Sequence, residues 1–276
     1  MSLFQHERLY ISIEPHRIAL VKVAGMRSPR MVESTLVNCN IDTNDHTDSL
    51  RDLKIVLNKA PWRGSKVEFI LSDLFTHYFI VILPRDIRGY EELNALIKAQ
   101  FEGRYDLSAE DWQFSANLQP FASRILVCAV KKSFIETINT LCADCEMTIK
   151  SIQPFLISEF NKWHTKIDGR NSLWFTSVES CCVTIGLIKD NQWSHIQTIN
   201  RNEDNHYSLW QTIERDRLIE NVFEPSLRVF CTGQPIKSLN ALPAEYKIDM
   251  PSKDCWPGQT DTWSNEYRLA LSRVWP

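Results

Sequence analysis

Glycine is scarce, with 8 residues in a chain of 276. Loops that cradle phosphate need glycine so that backbone amides can close on the ligand. A chain this poor in it is a weak candidate for a nucleotide enzyme. Clusters of basic charge are missing as well. The formal net charge is −3 and no Lys/Arg group stands out, so there is no electrostatic footprint for nucleic acid. No apolar run reaches the length of a membrane span; the longest, Leu74–Pro84, has the length of a core strand. The sequence does not open on a basic-then-apolar leader. The expectation is a soluble cytosolic chain with no direct membrane insertion. GxSxG and HExxH do not occur, which removes the local signatures of a serine hydrolase and a zinc peptidase.

What is present is ordinary in bulk. Hydrophobic residues make up 43% and charged residues 24%, enough apolar side chain for a sizeable core. The 8 cysteines are scattered, and without an export signal free thiols are expected. Cys142-Ala-Asp-Cys145 is a CxxC, but it falls at the end of its predicted helix, where the dipole does not activate a thiol. It reads as a buried structural pair, and no metal is expected. Cys181-Cys182 is placed on a strand, where neighbours point to opposite faces, so no joint role is assigned to it. His16 reads as a solvated turn residue, and Glu91-Glu92 and Asp106–Asp111 as acidic helix starts. No catalytic residue is assigned. Of the 9 tryptophans, Trp256 and Trp263 in a Pro-rich stretch are candidates to anchor a partner peptide.

Along the chain the first strong signal is Leu9–Val23, two alternating strands around a turn at Glu14, Pro15 and His16. A third strand is predicted at Met31–Asn38 and a helix from about residue 49 to Ala60, stopped by Pro61 and Gly64. Strands follow at Lys66–Leu71 and His77–Leu83, a helix at Gly89–Phe101, and strands near Trp112–Leu118 and Arg124–Val130. Ser133-Phe-Ile-Glu136 reads as a capping box for the next helix. A strand at Thr148–Ile152 and a helix at Pro154–His164 complete the first half. The second half repeats the rhythm, with strands at Ser172–Ser177, Cys181–Ile188 and Ser194–Ile199, a helix to about Val222, and a strand at Leu227–Cys231. A small helix at Pro235–Leu242 and a closing helix at Asn265–Val274 are also predicted. The fold class is mixed α/β, in two similar halves, each a sheet covered by helices.

This order of segments resembles the actin-like (ribonuclease H-like) two-lobed fold and, within it, the PilM family of type IV pilus assembly proteins. The segment from Lys66 to Phe155 carries the most specific part: a strand pair, then Leu-Pro, an acidic helix, Asp111-Trp112, and ILVCAVKKSFIETINTLCADCEMTIKSIQPF. The resemblance implies a first lobe at 1–65 and 131–170, an inserted α+β subdomain at 66–130, and a second lobe at 171–276. It aligns Leu9–Val23 with the first phosphate loop, Leu173–Gly186 with the second, and Val229–Leu239 with the adenosine loop.

At those loops the family's chemistry is replaced. Ser12 and Glu14 stand where the pattern has Asp and Gly, and Pro15 removes an amide donor. Thr176 and Val178 replace the second loop's Asp and Gly, and Gln153 replaces the Asp of the connecting segment. In the adenosine loop Thr232 and Gly233 survive, but Gln234 replaces the next Gly. The resemblance implies a fold that has lost ATP and magnesium binding. It implies a non-catalytic cytosolic scaffold of a type IV pilus (or related secretion or competence) inner-membrane platform. Such a scaffold would lie peripheral to the inner membrane, receiving the cytosolic N-terminal peptide of a PilN-like bitopic membrane protein beside other platform proteins. Two alternatives stand beside it: an active actin-like ATPase, and the cytosolic part of a GspL-like type II secretion protein.

Overall fold

The apolar alternation of the N-terminal hairpin becomes the middle of a five-stranded sheet. A computed structural model describes residues 7–25, 29–41, 49–87, 89–118, 122–167, 172–201, 209–223, 227–233, 246–249, 265–272 and 274. Strands β1 (Glu7–Glu14), β2 (Arg17–Ala24) and β3 (Arg30–Asn38) run antiparallel, and β4 (Lys66–Leu71) and β8 (Thr148–Pro154) add on in parallel, in the order β3-β2-β1-β4-β8. The alternate residues Leu9, Ile11 and Ile13 enter one core with helices α1 (Ser49–Leu57) and α3 (Lys132–Asp144). Leu50, Leu53 and Leu57 of α1 and Phe134, Ile138 and Leu141 of α3 meet them there at helical spacing. A buried Leu or Ile contributes about 1.5–3 kcal/mol, so this layer is the main support of the hairpin.

The second half repeats the design. Strands β9 (Leu173–Val178), β10 (Cys182–Lys189) and β11 (Gln192–Asn200) are antiparallel, followed by helix α5 (Leu209–Ile219) and the parallel strands β12 (Leu227–Gly233) and β13 (Tyr246–Asp249). The order β11-β10-β9-β12-β13 is that of the first sheet, strand for strand. Inserted within the first half, between β4 and α3, is a third, antiparallel sheet, β5-β7-β6, built from β5 (Thr76–Ile82), β6 (Trp112–Ala116) and β7 (Arg124–Lys131). It carries helix α2 (Tyr90–Tyr105), which buries Leu93, Ile97 and Phe101 against it. Helix α4 (Phe155–Trp163) leads from β8 toward β9. No helix among the described residues is long and apolar enough to cross a membrane.

Two of the expected boundaries are corrected. Lys66–Leu71 belongs to the first sheet, not to the insertion, because it pairs with β1 and β8; the inserted sheet begins at Thr76. Nor does the segment 171–276 stay with the second sheet. Ala270 and Leu271 pack with Tyr10, Ala19, Val21 and Val23 on the back of the first, and Leu269 packs on Ile70 and Phe155. That back face is apolar at the alternate positions of β1 and β2, so some segment must cover it. The covering segment is a 3-10 turn at Asn265–Tyr267 followed by further turns, where a helix was expected. The capping box also fails: Lys131 is the N-cap of α3 with no side-chain bond, which places Ser133 inside the helix. The predicted helix at 235–242, Gln234, Trp256 and Trp263 lie outside the described residues.

Candidate functional site

The two loops that the resemblance assigns to phosphate meet where the two five-stranded sheets come together, and acidic side chains fill the meeting place. Glu14, at the end of β1, is almost fully buried. Arg17 grips it from the same turn, with Nη2 2.7 Å from Oε1 and 2.9 Å from Oε2 and Nε 3.1 Å from Oε1. Ser180, in the bend between β9 and β10, donates its hydroxyl to Glu14 Oε2 at 2.7 Å. A single carboxylate thus ties the first hairpin to the second. Such charge-assisted, bidentate bonds are the strong kind.

Asp73 lies behind it, in the 3-10 turn Asp73–Phe75 that follows β4. Its side chain is fully buried and accepts from Tyr78 Oη at 2.6 Å, the Leu156 amide at 3.0 Å and Ser177 Oγ at 3.0 Å. Leu156 is in the first turn of α4, so Asp73 caps that helix from outside and meets the positive end of its dipole. Glu179 is also fully buried, and its Oε1 accepts the Asp73 amide at 2.8 Å. Burial raises the affinity of both acids for a proton. It outweighs the bonds donated to Asp73, and for Glu179 the charges of Asp73 and Cys181 push the same way, so Glu179 lies well above the usual carboxylate range.

The remaining predicted positions divide between this seam and the sheet interiors. Ser12 and Gln153 flank Ile70 in register across β1, β4 and β8, and Ile70 is fully buried against Phe155 and Leu269. The Ser12 hydroxyl and Gln153 Oε1 are buried without a hydrogen-bond partner among the described residues. Gln153 also lines an open recess of about 330 Å³ with Arg8, Tyr10, Glu68, Lys150 and Ser151. Thr176 is buried and likewise unpartnered; its neighbour Ser177 is the residue that reaches Asp73. Thr232 donates to the buried Glu159, which also accepts from Trp163 Nε1 at 3.2 Å. Gly233 lies opposite Val178 in the β12–β9 ladder, with φ +91°. A Cβ there would come within 2.2 Å of the Val178 carbonyl oxygen, so close strand packing accounts for this glycine.

The donors at the seam are therefore already engaged. Arg17, Ser180, Ser177, Tyr78 and the amides of Leu156 and Asp73 all serve the chain's own carboxylates. A phosphate needs those same donors and would have to displace bonds worth about 1.5–3 kcal/mol each. This set of residues does not fit a nucleotide phosphate. Sequence reading identified Glu14 but missed Asp73, Ser177 and Glu179. Ser72-Asp73 is legible as a turn, since Ser72 Oγ accepts the Leu74 amide at 3.3 Å, but not as half of a carboxylate pair.

The cysteines separate into two kinds. Cys142 and Cys145 are buried, and burial pushes Cys142 up to about 12 and raises Cys145 too. Cys181 and Cys182 differ from expectation: Cys181 lies in the bend before β10, not on the strand, and the two thiols converge instead of facing apart.

This arrangement of two repeated sheets with an insertion in the first half is the actin-like fold, and solved structures agree. The chain is similar over 97% of its length to 97% of a chain of the PilM–PilN type IV pilus biogenesis complex, with TM-score 0.66 and 11% identity. A Bacteroides thetaiotaomicron protein with actin-like ATPase fold and unknown function matches over 87% of this chain and 90% of its own, with TM-score 0.56 and 12% identity. The cytoplasmic domain of EpsL, an inner-membrane component of the Vibrio cholerae type II secretion system, matches over 97% and 94%, with TM-score 0.55 and 11% identity. At these identities what is shared is the fold. No family model and no curated protein matches the sequence.

Proposed function

We propose that this chain is a non-catalytic scaffold of an inner-membrane assembly platform for a type IV pilus or a related secretion or competence system. It lies on the cytosolic side and is held at the membrane by a PilN-like bitopic partner, whose cytosolic N-terminal peptide it binds beside other platform proteins. The observation that carries the reading is the likeness over 97% of both chains to the PilM–PilN complex, a span that takes in the inserted sheet. The carboxylate-filled seam supports the non-catalytic part, because its donors are spent internally. A peptide ordering against a preformed groove of the inserted sheet and α2 would supply affinity without any change in the seam.

Calorimetry with a synthetic partner N-terminal peptide tests this, with and without Mg-ATP. The expected result is micromolar binding that nucleotide does not alter. Absence of binding overturns the peptide role. A rise in Tm with millimolar Mg-ATP overturns the loss of nucleotide, since any ligand selective for the native state must stabilise it. The likeness to the EpsL cytoplasmic domain favours a second reading, the cytosolic part of a GspL-like type II secretion protein. In that case the chain binds a type II platform partner and not the PilN-like peptide.

A further inference from the structure

Adjacent cysteines on a strand diverge, but here the bend at Ser180-Cys181 turns the first thiol back toward the second. The Sγ atoms of Cys181 and Cys182 and a carboxylate oxygen of Glu179 all lie within 4.8 Å of one another. Glu179 is oriented for this: its Oε1 is held by the Asp73 amide at 2.8 Å, and its Oε2 lies 4.0 Å from Cys181 Sγ. Ser72 Oγ approaches Cys181 Sγ to 3.7 Å from the end of β4 and brings an oxygen from the other sheet. Glu179 and Cys182 are fully buried while Cys181 is half-buried, so the cluster has one face open to an incoming ion.

The charges around it are one-sided. Asp73 and Glu14 are the acids that face the cluster. Arg17 is engaged by Glu14, and Arg201 donates to the main-chain oxygen of Glu179 at 2.7 Å, not to its carboxylate. Among the described residues no basic side chain pairs with that carboxylate. We propose that Glu179, Cys181 and Cys182 form a binding site for a thiophilic divalent ion of the Zn²⁺ class.

Two thiolates and one carboxylate suit a borderline-soft ion better than Mg²⁺ or Ca²⁺, which take oxygen ligands. Tetrahedral ligands about 2.3 Å from Zn²⁺ stand roughly 3.5–3.8 Å apart, so the 4.0 Å from Cys181 to Glu179 needs little contraction. Ser72 Oγ or a water supplies the fourth position, and the protons that the ligands give up pass to solvent. A bound ion would clamp the β9–β10 bend against the end of β4. The proposal does not depend on the pilus-platform reading, because the probe is the metal alone.

The full-length chain, stripped with chelator and kept under a phosphine reductant, is titrated with Cd²⁺ and then with Zn²⁺ in competition. One Cd²⁺ per chain, with a sulfur-to-cadmium charge-transfer band, is the expected result. Cys181→Ser and Cys182→Ser each cut the band to about half, one thiolate remaining, and weaken binding about tenfold or more; Glu179→Gln weakens binding to a similar degree but keeps the full band. Cys142→Ser, in a separate core, changes neither. A band or stoichiometry unchanged in Cys181→Ser overturns the site, as does the lack of any band at one equivalent. Circular dichroism checks folding; should Cys182→Ser fail to fold, the half-buried Cys181 position decides.

Discussion

Gly233 is held to glycine by its own neighbours. The resemblance places an adenosine-loop glycine at this position. Here its surroundings are protein: the Val178 backbone occupies the space a Cβ would need, and φ +91° is a conformation that L side chains rarely adopt. Gly233→Ala therefore combines a backbone penalty with an overlap that no rotamer can relieve. The expected cost is at least about 2 kcal/mol, read as a lower urea midpoint with an unchanged m-value. A neutral substitution would mean that β12 and β9 can separate here without loss.

At the scale of elements, the inserted sheet owes its order to an aromatic layer between β5, β6 and α2. His77 sits in it, its ring centroid 4.5 Å from Tyr105, 4.7 Å from Trp112 and 6.0 Å from Phe101. Burial, aided by the nearby charge of Lys131, lowers the affinity of this imidazole for a proton. The unfolded chain protonates His77 near the ordinary value of about 6.5, the folded chain only below that. Between the two, the unfolded state binds more protons, so stability is full above about pH 7 and is lost as the pH falls. The buried Asp73 and Glu179 work in the opposite direction, so the effect of His77 is read as a difference: from pH 7.5 down to 5 the melting temperature of the native sequence should fall relative to that of His77→Phe, which keeps a ring in the layer and leaves both acids in place. Equal slopes in both would show that His77 titrates alike in both states.

At the scale of the whole molecule, the insertion and the second sheet share a core. Tyr78 and Leu126 of the inserted sheet pack into one cluster with Phe175, Trp193 and Phe230 of the second sheet and Leu156 and Trp163 of α4. Phe175 and Phe230 stack there with ring centroids 5.5 Å apart. Polar contacts reinforce the join: Gln192 Oε1 accepts from the Ser123 amide and hydroxyl and the Arg124 amide, all at 3.1–3.2 Å. A core shared in this way couples the sheets in unfolding. Leu126→Ala is expected to cost about 2–5 kcal/mol and to leave a single cooperative transition, with fluorescence and circular dichroism coinciding. Two separated transitions would mean that the inserted sheet melts independently.

Much of this fold was legible before any coordinates, because its signals are local. Alternation in β1 and β2, helical spacing at Leu50, Leu53 and Leu57, and the second run of three strands from Leu173 each follow from the period of one element. Glu14 in place of a glycine could likewise be read directly. The placement of Lys66–Leu71 in the first sheet, and the return of Ala270 and Leu271 to cover that sheet's back, depended on which apolar faces still lacked a partner. No single segment records that. The seam is the extreme case: Asp73 and Glu179 are separated by more than a hundred positions, yet a main-chain amide of one serves the carboxylate of the other. Sequence alone determined that Ser12, Glu14 and Pro15 stand in the turn region of the first hairpin, where the resemblance places Asp and Gly. Only the tertiary structure decided that Glu14 is gripped by Arg17 and Ser180 and that Asp73 and Glu179 join it, because burial and spent donors belong to the meeting of two sheets and not to either one.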